Sequence, residues 1–296
     1  MTNADTTKKA RRDAAREHAR EAREAAAKKR KRNKLLAQGG VLLGALAVAG
    51  VVLLVVSNLN APPSPGPLNM ASDGIVLNGD GTTMGYVATD AIAADAEPVA
   101  STLPSTGEPV AIVMYVDYQC PICQQFETTN ADQIAQWVTA GMATVEIHPI
   151  ANLDAQSLGT RYSSRATNAA ACVANFEPEK YWAVNEAFYA NQPAEQTSGL
   201  TNAEIKTLVS DAGASSQDVA DCIGAETFKS WVTAATLRTR SAIPNSILDS
   251  VEGTPTVLVN GQQYTGETTD ADAFTAFVSG IAATAGSGTG TDTPTE

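Results

Sequence analysis

A pair of cysteines lies where an apolar strand gives way to a helix, and this junction constrains the fold more than any other feature. The apolar run 110–116 predicts a buried strand, and the motif Cys120-Pro121-Ile122-Cys123 follows it. Pro121 suits a first helical turn because it lacks an N–H group and its φ is preset for a helix. We therefore place Cys120 at a helix N-terminus, where free N–H groups and the helix dipole favour a thiolate.

This spacing is typical of a redox-active dithiol, in which Cys123 can close a disulfide with Cys120 and release a bound partner. Half of a zinc site and an ordinary structural pair are the alternatives. A zinc site built from all four cysteines is disfavoured, because Cys172 and Cys222 lack the close paired spacing of structural zinc ligands. The sequence therefore predicts neither a metal nor a cofactor.

The charge changes sign along the chain. Residues 1–34 contain 13 Lys or Arg and 5 Asp or Glu, a net charge of +8, whereas the remainder carries −20. Between the two parts, residues 35–56 contain no charged side chain, and as a helix they span roughly 30 Å of hydrocarbon. The positive-inside rule then predicts a single-pass cell-membrane protein with a cytoplasmic N-terminus and an extracytoplasmic domain, held in the lipid bilayer by residues 35–56.

A cleaved signal peptide is the competing interpretation of this segment. Its apolar core is normally about 7–15 residues long and follows a short basic region, so an uncleaved anchor fits residues 1–56 better. The basic leader 1–34 is predicted to be a solvated helix that sets the topology. Nucleic-acid binding is the alternative, but the leader has no aromatic side chains to stack on bases, and no nucleic-acid partner is expected.

The remaining chain divides by composition. Residues 57–104 are predicted to be an extracytoplasmic linker, in which the apolar patch 74–77 is either an edge strand or without fixed structure, and residues 284–296 are predicted to be a disordered tail. Residues 105–283 are predicted to form the ordered domain. Its elements change in the order βαβ, a helical block at about 155–245, then ββα, which predicts an α/β fold with an inserted helical subdomain.

Three segments in this order resemble the membrane-anchored, DsbA-like thiol-disulfide oxidoreductases of bacteria, which have the thioredoxin fold. They are Val116-Asp117-Tyr118-Gln119-Cys120-Pro121-Ile122-Cys123, Ser164-Arg165-Ala166-Thr167-Asn168-Ala169 and Gly253-Thr254-Pro255-Thr256-Val257-Leu258-Val259-Asn260-Gly261. The resemblance implies that Cys120 and Cys123 are the catalytic pair. It also implies that Thr254-Pro255 is a cis peptide beside the dithiol, where the backbone of Thr254 binds an extended substrate segment.

Two residues depart from the family's pattern. Relatives often carry a buried acidic residue six positions before the first cysteine, where this chain has Met114; Asp117 is the nearest acid, but in an ideal strand it points to the other side. The proton then moves through water, or another acid takes the role. Strongly oxidising relatives often have Pro-His between the cysteines, and Ile122 can donate neither a hydrogen bond nor positive charge to a Cys120 thiolate.

Cys172 and Cys222 lie in the helical block, far from the motif. An exterior compartment allows disulfides, and four cysteines divide evenly into one reactive and one structural pair, which predicts a Cys172–Cys222 bridge. Two unpaired buried cysteines are the alternative. His148, followed by Pro149 at a strand end, is predicted to be structural rather than a base or a metal ligand.

These patterns together predict an extracytoplasmic thiol-disulfide oxidoreductase. The predicted direction is oxidation, in which the Cys120–Cys123 disulfide passes to the thiols of unfolded secreted proteins and a membrane redox partner reoxidises the enzyme. A disulfide reductase or isomerase is one alternative. A non-catalytic, membrane-tethered binding domain with structural disulfides is the other.

Overall fold

The computed structural model describes residues 64–286 except 95, 106–107 and 242. The predicted leader 1–34, the predicted transmembrane helix 35–56 and most of the predicted tail 284–296 lie outside the described residues. Within the described part of the chain, no helix is both long enough and apolar enough to cross a membrane.

A single six-stranded sheet forms the centre of the described domain, with the strand order β2-β1-β4-β3-β5-β6. Strands β3 and β4 are parallel, and every other neighbouring pair is antiparallel. The strands are β1 (Ile75–Gly79), β2 (Met84–Tyr86), β3 (Val110–Val116), β4 (Ala143–Pro149), β5 (Thr256–Val259) and β6 (Gln262–Gln263).

Seven α-helices accompany the sheet in the described residues. Helix α1 connects β3 to β4, helices α2 to α6 form the block between β4 and β5, and α7 follows β6. Their bounds are α1 (Pro121–Thr139), α2 (Tyr162–Phe176), α3 (Tyr181–Ala190), α4 (Asn202–Asp211), α5 (Gln217–Ala225), α6 (Lys229–Arg238) and α7 (Ala271–Gly286). The βαβ unit, the helical block and the ββα unit thus occur in the predicted order, although α7 runs beyond the predicted domain end at 283.

The hydrophobic pattern explains this arrangement. Strand β3 lies between two neighbours and is apolar throughout, as expected for a strand covered on both faces; Ile112, Met114 and Val116 have no exposed surface. Helix α1 and helix α7 pack together through Phe126 and Phe274, whose rings meet edge to face with centroids 5.1 Å apart. This contact holds the first half of α1 against α7.

The folded domain begins earlier than the sequence predicted. Within the predicted linker 57–104, the apolar patch forms β1, which pairs with β4 on one side and with β2 on the other, so β2 and not β1 is the edge strand. A Cβ at Gly79, the last residue of β1, would overlap the carbonyl oxygen of Val138 in α1. The absence of a side chain therefore lets β1 approach α1 closely.

Candidate active site

The turn between β3 and α1 is built around a buried carboxylate. Asp117 accepts hydrogen bonds from the backbone N–H of Gln119 at 2.8 Å, the backbone N–H of Leu153 at 2.9 Å and the hydroxyl of Ser163 at 2.7 Å. Burial nevertheless raises the pKa of Asp117 to about 6. Because these donors come from the turn, from the segment after β4 and from α2, Asp117 fixes the turn against the helical block.

Cys120 caps the first turn of α1. Its backbone is extended, with φ −77° and ψ 116°, Pro121 is the first helical residue, and the N–H of Cys123 donates to its sulfur at 3.4 Å. The capping position therefore turns the Cys120 sulfur toward the free N–H groups of the helix, as expected from the sequence.

The electrostatic surroundings favour the thiolate of Cys120. A hydrogen bond from the Cys123 thiol lowers the pKa of Cys120 most, and burial opposes it. Hydrogen bonds from the Thr254 side chain and from the N–H groups of Cys123 and Ile122 lower the pKa further, to about 6. The side chain of Ile122 is apolar and exposed to solvent. Its backbone N–H, rather than its side chain, contributes to this low pKa.

Cys123 has the opposite character. Its side chain has no exposed surface, and burial, followed by the hydrogen bond with Cys120, raises the pKa of its thiol well above 9. Both cysteines are free thiols in this structure. The pair is therefore asymmetric, because Cys120 is the acidic thiol and Cys123 the one that retains its proton.

The predicted substrate-binding residues lie against Cys120. The Thr254–Pro255 peptide bond is cis, and the Cys120 thiol donates to the carbonyl oxygen of Thr254 at 3.0 Å. A groove of about 540 Å³ opens beside this contact; we call it the Thr254 groove, and it is lined by Ile122, Phe126, Tyr264 and residues of the segments 247–250, 252–257 and 263–268. The position of Thr254 and Pro255 agrees with the prediction, and their role in binding remains a prediction.

The helical block supports the dithiol from the other side. The side-chain amide of Gln192, just after α3, donates to the carbonyl oxygen of Cys120 at 3.0 Å. Gln124, one residue after the motif, donates to the carbonyl oxygen of Tyr189 in α3 at 2.8 Å. These two amides hold the first turn of α1 to α3.

A buried acid near the dithiol was missed in the sequence. Glu127 lies four residues after Cys123 on α1, so the two side chains share one helix face. Its Oε1 accepts from the side-chain amide of Asn185 at 3.2 Å, whereas Oε2 has no hydrogen-bond partner in the described residues. Burial first, then the charge of Glu186, raises the pKa of Glu127 to about 7. The i, i+4 spacing from Cys123 was the available signal.

Two tyrosines complete the polar cluster beneath the dithiol. Tyr118 donates to Asn185 Oδ1 at 3.2 Å, which orients the amide that holds Glu127. The hydroxyl of Tyr189 is buried and has no partner in the part of the chain that the structure describes. Burial raises the pKa of Tyr189 well above 10, and negative charge on Cys123 or Glu127 would raise it further.

Cys172 and Cys222 are joined by a disulfide with an S–S distance of 2.04 Å. Cys172 lies on α2 and Cys222 on α5, and both sulfurs belong to the alanine-rich interior of the helical block. The arrangement corresponds to the predicted structural pair.

The remaining predicted residues are not part of the dithiol site. His148 lies on β4, where its Nε2 is 2.9 Å from Glu146 Oε1 and its ring stacks on Tyr115 with centroids 4.4 Å apart. Across residues 64–286, leaving aside 95, 106–107 and 242, no group of three or more His, Cys, Asp or Glu side chains could hold a metal ion.

Comparison with known proteins identifies relatives of this domain. The sequence model of a family described as thioredoxin matches residues 105–279. The reduced form of the disulfide bond oxidoreductase DsbG from Mycobacterium tuberculosis is 27% identical, with a TM-score of 0.51 over 64% of this chain and 90% of that chain. Reduced DsbA from the same organism is 26% identical, with a TM-score of 0.53 over 72% and 98%.

Two further proteins are similar to this chain, one in fold and one over part of its length. Oxidised BdbD from Bacillus subtilis is 18% identical, with a TM-score of 0.51 over 76% of this chain and 100% of that chain, which shows a shared fold. The Na(+)/H(+) antiporter NhaA 3 of Salinispora tropica is 27% identical over 180 residues, or 58% of this chain and 24% of that protein. The chain thus spans about a quarter of the length of this curated relative.

Proposed function

Because the chain belongs to the thioredoxin family, we propose that Cys120 and Cys123 form the redox pair of an enzyme that oxidises the thiols of secreted proteins. The DsbA and DsbG structures that it resembles are thiol-disulfide oxidoreductases, and the chain is an enzyme of this kind. The observation that carries the proposal is the asymmetry of the pair: the pKa of Cys120 is lowered to about 6, whereas that of Cys123 is raised well above 9.

The reaction proceeds from the disulfide form. A substrate thiolate attacks Cys120 Sγ, the Cys120–Cys123 bond breaks, and its electron pair leaves on Cys123, so that a mixed disulfide forms. A second substrate thiolate then attacks the substrate sulfur of this mixed disulfide and expels Cys120 as a thiolate. The substrate loses two electrons, which the dithiol gains.

The low pKa of Cys120 supports oxidation as the net direction. A thiol of low pKa is a good leaving group, and a stabilised thiolate makes the reduced enzyme the favoured product. The surroundings of Cys120 provide this stabilisation without a histidine between the cysteines, because the donors are the Cys123 thiol, Thr254 and backbone N–H groups. A membrane redox partner then removes the two electrons and restores the disulfide.

Glu127 is proposed to return the proton that Cys123 needs. When Cys123 leaves as a thiolate it must be protonated, because it is buried and its thiol has a raised pKa. Glu127 lies one turn further along the same helix, and a pKa of about 7 suits proton exchange near neutral pH. We assign Glu127 the role of the buried acid that is absent at Met114.

The proposed location is the outer side of the cell membrane. It rests on the uncharged segment 35–56, the basic leader before it and the acidic domain after it. Treating intact cells with an impermeant maleimide tests this proposal through a cysteine introduced at the exposed position Glu179. Labelling without permeabilisation is expected, and labelling only after permeabilisation would contradict it.

The test of the proposed activity is disulfide transfer to a reduced peptide that contains two cysteines. The oxidised full chain should oxidise the peptide, with one peptide disulfide formed for each dithiol produced, as measured by mass spectrometry after alkylation. Cys120→Ser should abolish transfer, while Ser163→Ala, which removes one donor to Asp117 but no cysteine, should retain it. Failure of the oxidised wild-type chain to transfer its disulfide would contradict the proposal.

A further inference from the structure

The Thr254 groove combines an apolar surface with negative charge. Ile247 is 95% exposed and Ile122 is 45% exposed, so the groove presents aliphatic side chains to solvent next to the reactive sulfur. Among its lining residues are two acids, Asp249 and Glu252, and no Lys, Arg or His. Both acids are exposed. The charged side chains of the Thr254 groove are therefore all negative, and they lie beside apolar walls.

The two carboxylates have no partner within the protein. Neither Asp249 nor Glu252 makes a side-chain hydrogen bond or an ion pair with any other residue in the described portion of the chain. By contrast, the exposed acid Glu204 is engaged within the protein, where it accepts hydrogen bonds from Thr201 in a capping box. The negative charge of the groove is thus left for a ligand to neutralise.

The position of Glu252 relates this charge to the reacting cysteine. Thr254 contacts the sulfur of Cys120, and Glu252 is two residues earlier, so their Cα atoms are within about 7.6 Å of each other. A substrate cysteine bonded to Cys120 must lie beside Thr254. The side chains of neighbouring substrate residues then enter the groove that Glu252 and Asp249 line.

We propose that the Thr254 groove selects extended substrate segments that carry Lys or Arg within about three residues of the reacting cysteine. The inference rests on the proposed function and specifies its substrate class. Lys and Arg suit both halves of the groove, because their aliphatic stems lie along apolar surface while their charged heads remain at the rim. Acidic segments, including a second copy of this strongly acidic domain, are repelled.

The expected effect is moderate and depends on salt. Pairing between exposed charges is weak individually, so two carboxylates should give roughly a five- to tenfold preference for a basic over an acidic substrate. The preference should diminish in 1 M salt, where the Debye length is about 3 Å.

The experiment compares two reduced peptides that each contain two cysteines and differ only in having lysines or glutamates at the flanking positions. Oxidised full-length protein reacts with each peptide at low salt and in 1 M NaCl, and the rate ratio is measured by quenched alkylation and mass spectrometry. The ratio is divided by that for oxidised dithiothreitol with the same peptides, because flanking lysines themselves lower the pKa of a peptide thiol.

The test variant combines Asp249→Asn with Glu252→Gln, and the matched control is Glu179→Gln, an exposed acid outside the groove.

The wild-type and Glu179→Gln proteins should prefer the lysine peptide five- to tenfold at low salt, and the double variant should lose most of this preference. A corrected ratio near one in the wild type, or an unchanged ratio in the double variant, would overturn the inference while the proposed oxidase activity stands. If neither peptide is oxidised at all, the proposed function falls together with the inference.

Discussion

The two cysteine pairs of this domain are equally buried but are placed in different ways. Cys120 and Cys222 are each 5% exposed, and Cys123 and Cys172 have no exposed surface. Burial therefore does not distinguish the proposed reactive pair from the disulfide-bonded one. The residues around each pair do distinguish them. Cys120 caps a helix beside a groove, whereas Cys172 and Cys222 join two helices within an alanine-rich interior.

The difference shows which surroundings make a cysteine reactive. The Cys120 sulfur accepts a hydrogen bond from the N–H of Cys123 at the helix N-terminus, whereas the polar contact near the second pair is the amide of Asn168, 3.8 Å from Cys172 Sγ. A thiolate needs such donors, and an attacking thiolate needs access. The first pair has the donors and lies beside the Thr254 groove, whereas the second pair is enclosed by packing.

The largest expected effect separates the two cysteines of the reactive pair. Cys123→Ala should accumulate mixed disulfides with reduced substrate proteins, because the resolving thiol is absent. Cys120→Ala should accumulate almost none, since the remaining thiol is buried and keeps its proton. Non-reducing electrophoresis with mass spectrometry measures both variants, and equal trapping would contradict the assigned roles.

The pH dependence of alkylation should distinguish Cys120 from an ordinary thiol. In the reduced enzyme, carboxymethylation of Cys120 by iodoacetate should be half-maximal near pH 6, because its pKa is lowered to about 6. Cys123 should remain unmodified up to pH 9. Peptide mass spectrometry gives the two profiles separately, and a single transition near pH 9 would argue against stabilisation of the Cys120 thiolate by its surroundings.

Removal of the second pair should affect stability rather than chemistry. The Cys172–Cys222 bridge closes a loop of 50 residues, and its loss should lower the free energy of unfolding by about 4 kcal/mol in the chain-entropy description. Replacing both cysteines by alanine and measuring pulse proteolysis in urea tests this value. Disulfide transfer by the remaining folded protein should persist, and its loss would tie the second pair to the reaction.

A smaller effect is expected at Glu127. Because its pKa is raised to about 7 in the folded state, from 4.5, its contribution to stability is complete below pH 4.5 and is lost as the pH rises through 7. Between pH 5 and pH 8, the free energy of unfolding of Glu127→Gln should therefore fall less than that of the wild type, by on the order of 3 kcal/mol. The exposed Glu179→Gln serves as the control in pulse proteolysis.

The same Glu127 variant also tests the proposed proton transfer. Glutamine keeps the acceptor for Asn185 but cannot donate the proton, so mixed-disulfide formation should slow most at neutral pH and lose its dependence on a group that titrates near pH 7. An unchanged pH–rate profile would leave Glu127 as a packing residue.

The elements that the sequence predicted correctly are those with a strong local signal. The strand before Cys120 and the helix that begins at Pro121 each follow from a few adjacent residues, and the hairpin turn at Asn260-Gly261 has an equally local signal. At this turn both residues have positive φ, 45° and 80°, as expected for the tight turn that Asn-Gly favours.

The missed features depend on distant parts of the chain. Strand β1 is a short apolar run whose pairing partner, β4, lies some 70 residues later, so its local pattern could not distinguish a strand from a linker. The burial of Glu127 depends on α3, which supplies Asn185 and Tyr189 from the helical block. A glutamate on a helix otherwise predicts a solvated position.

The central claim, that one pair exchanges while the other holds the fold, is tested most directly by a redox titration of the full chain against glutathione. Differential alkylation followed by peptide mass spectrometry reports the oxidation state of each pair separately. We expect Cys120–Cys123 to become reduced within the range of the titration, while Cys172–Cys222 stays oxidised throughout. Reduction of both pairs at the same potential, or of Cys172–Cys222 first, would contradict the account.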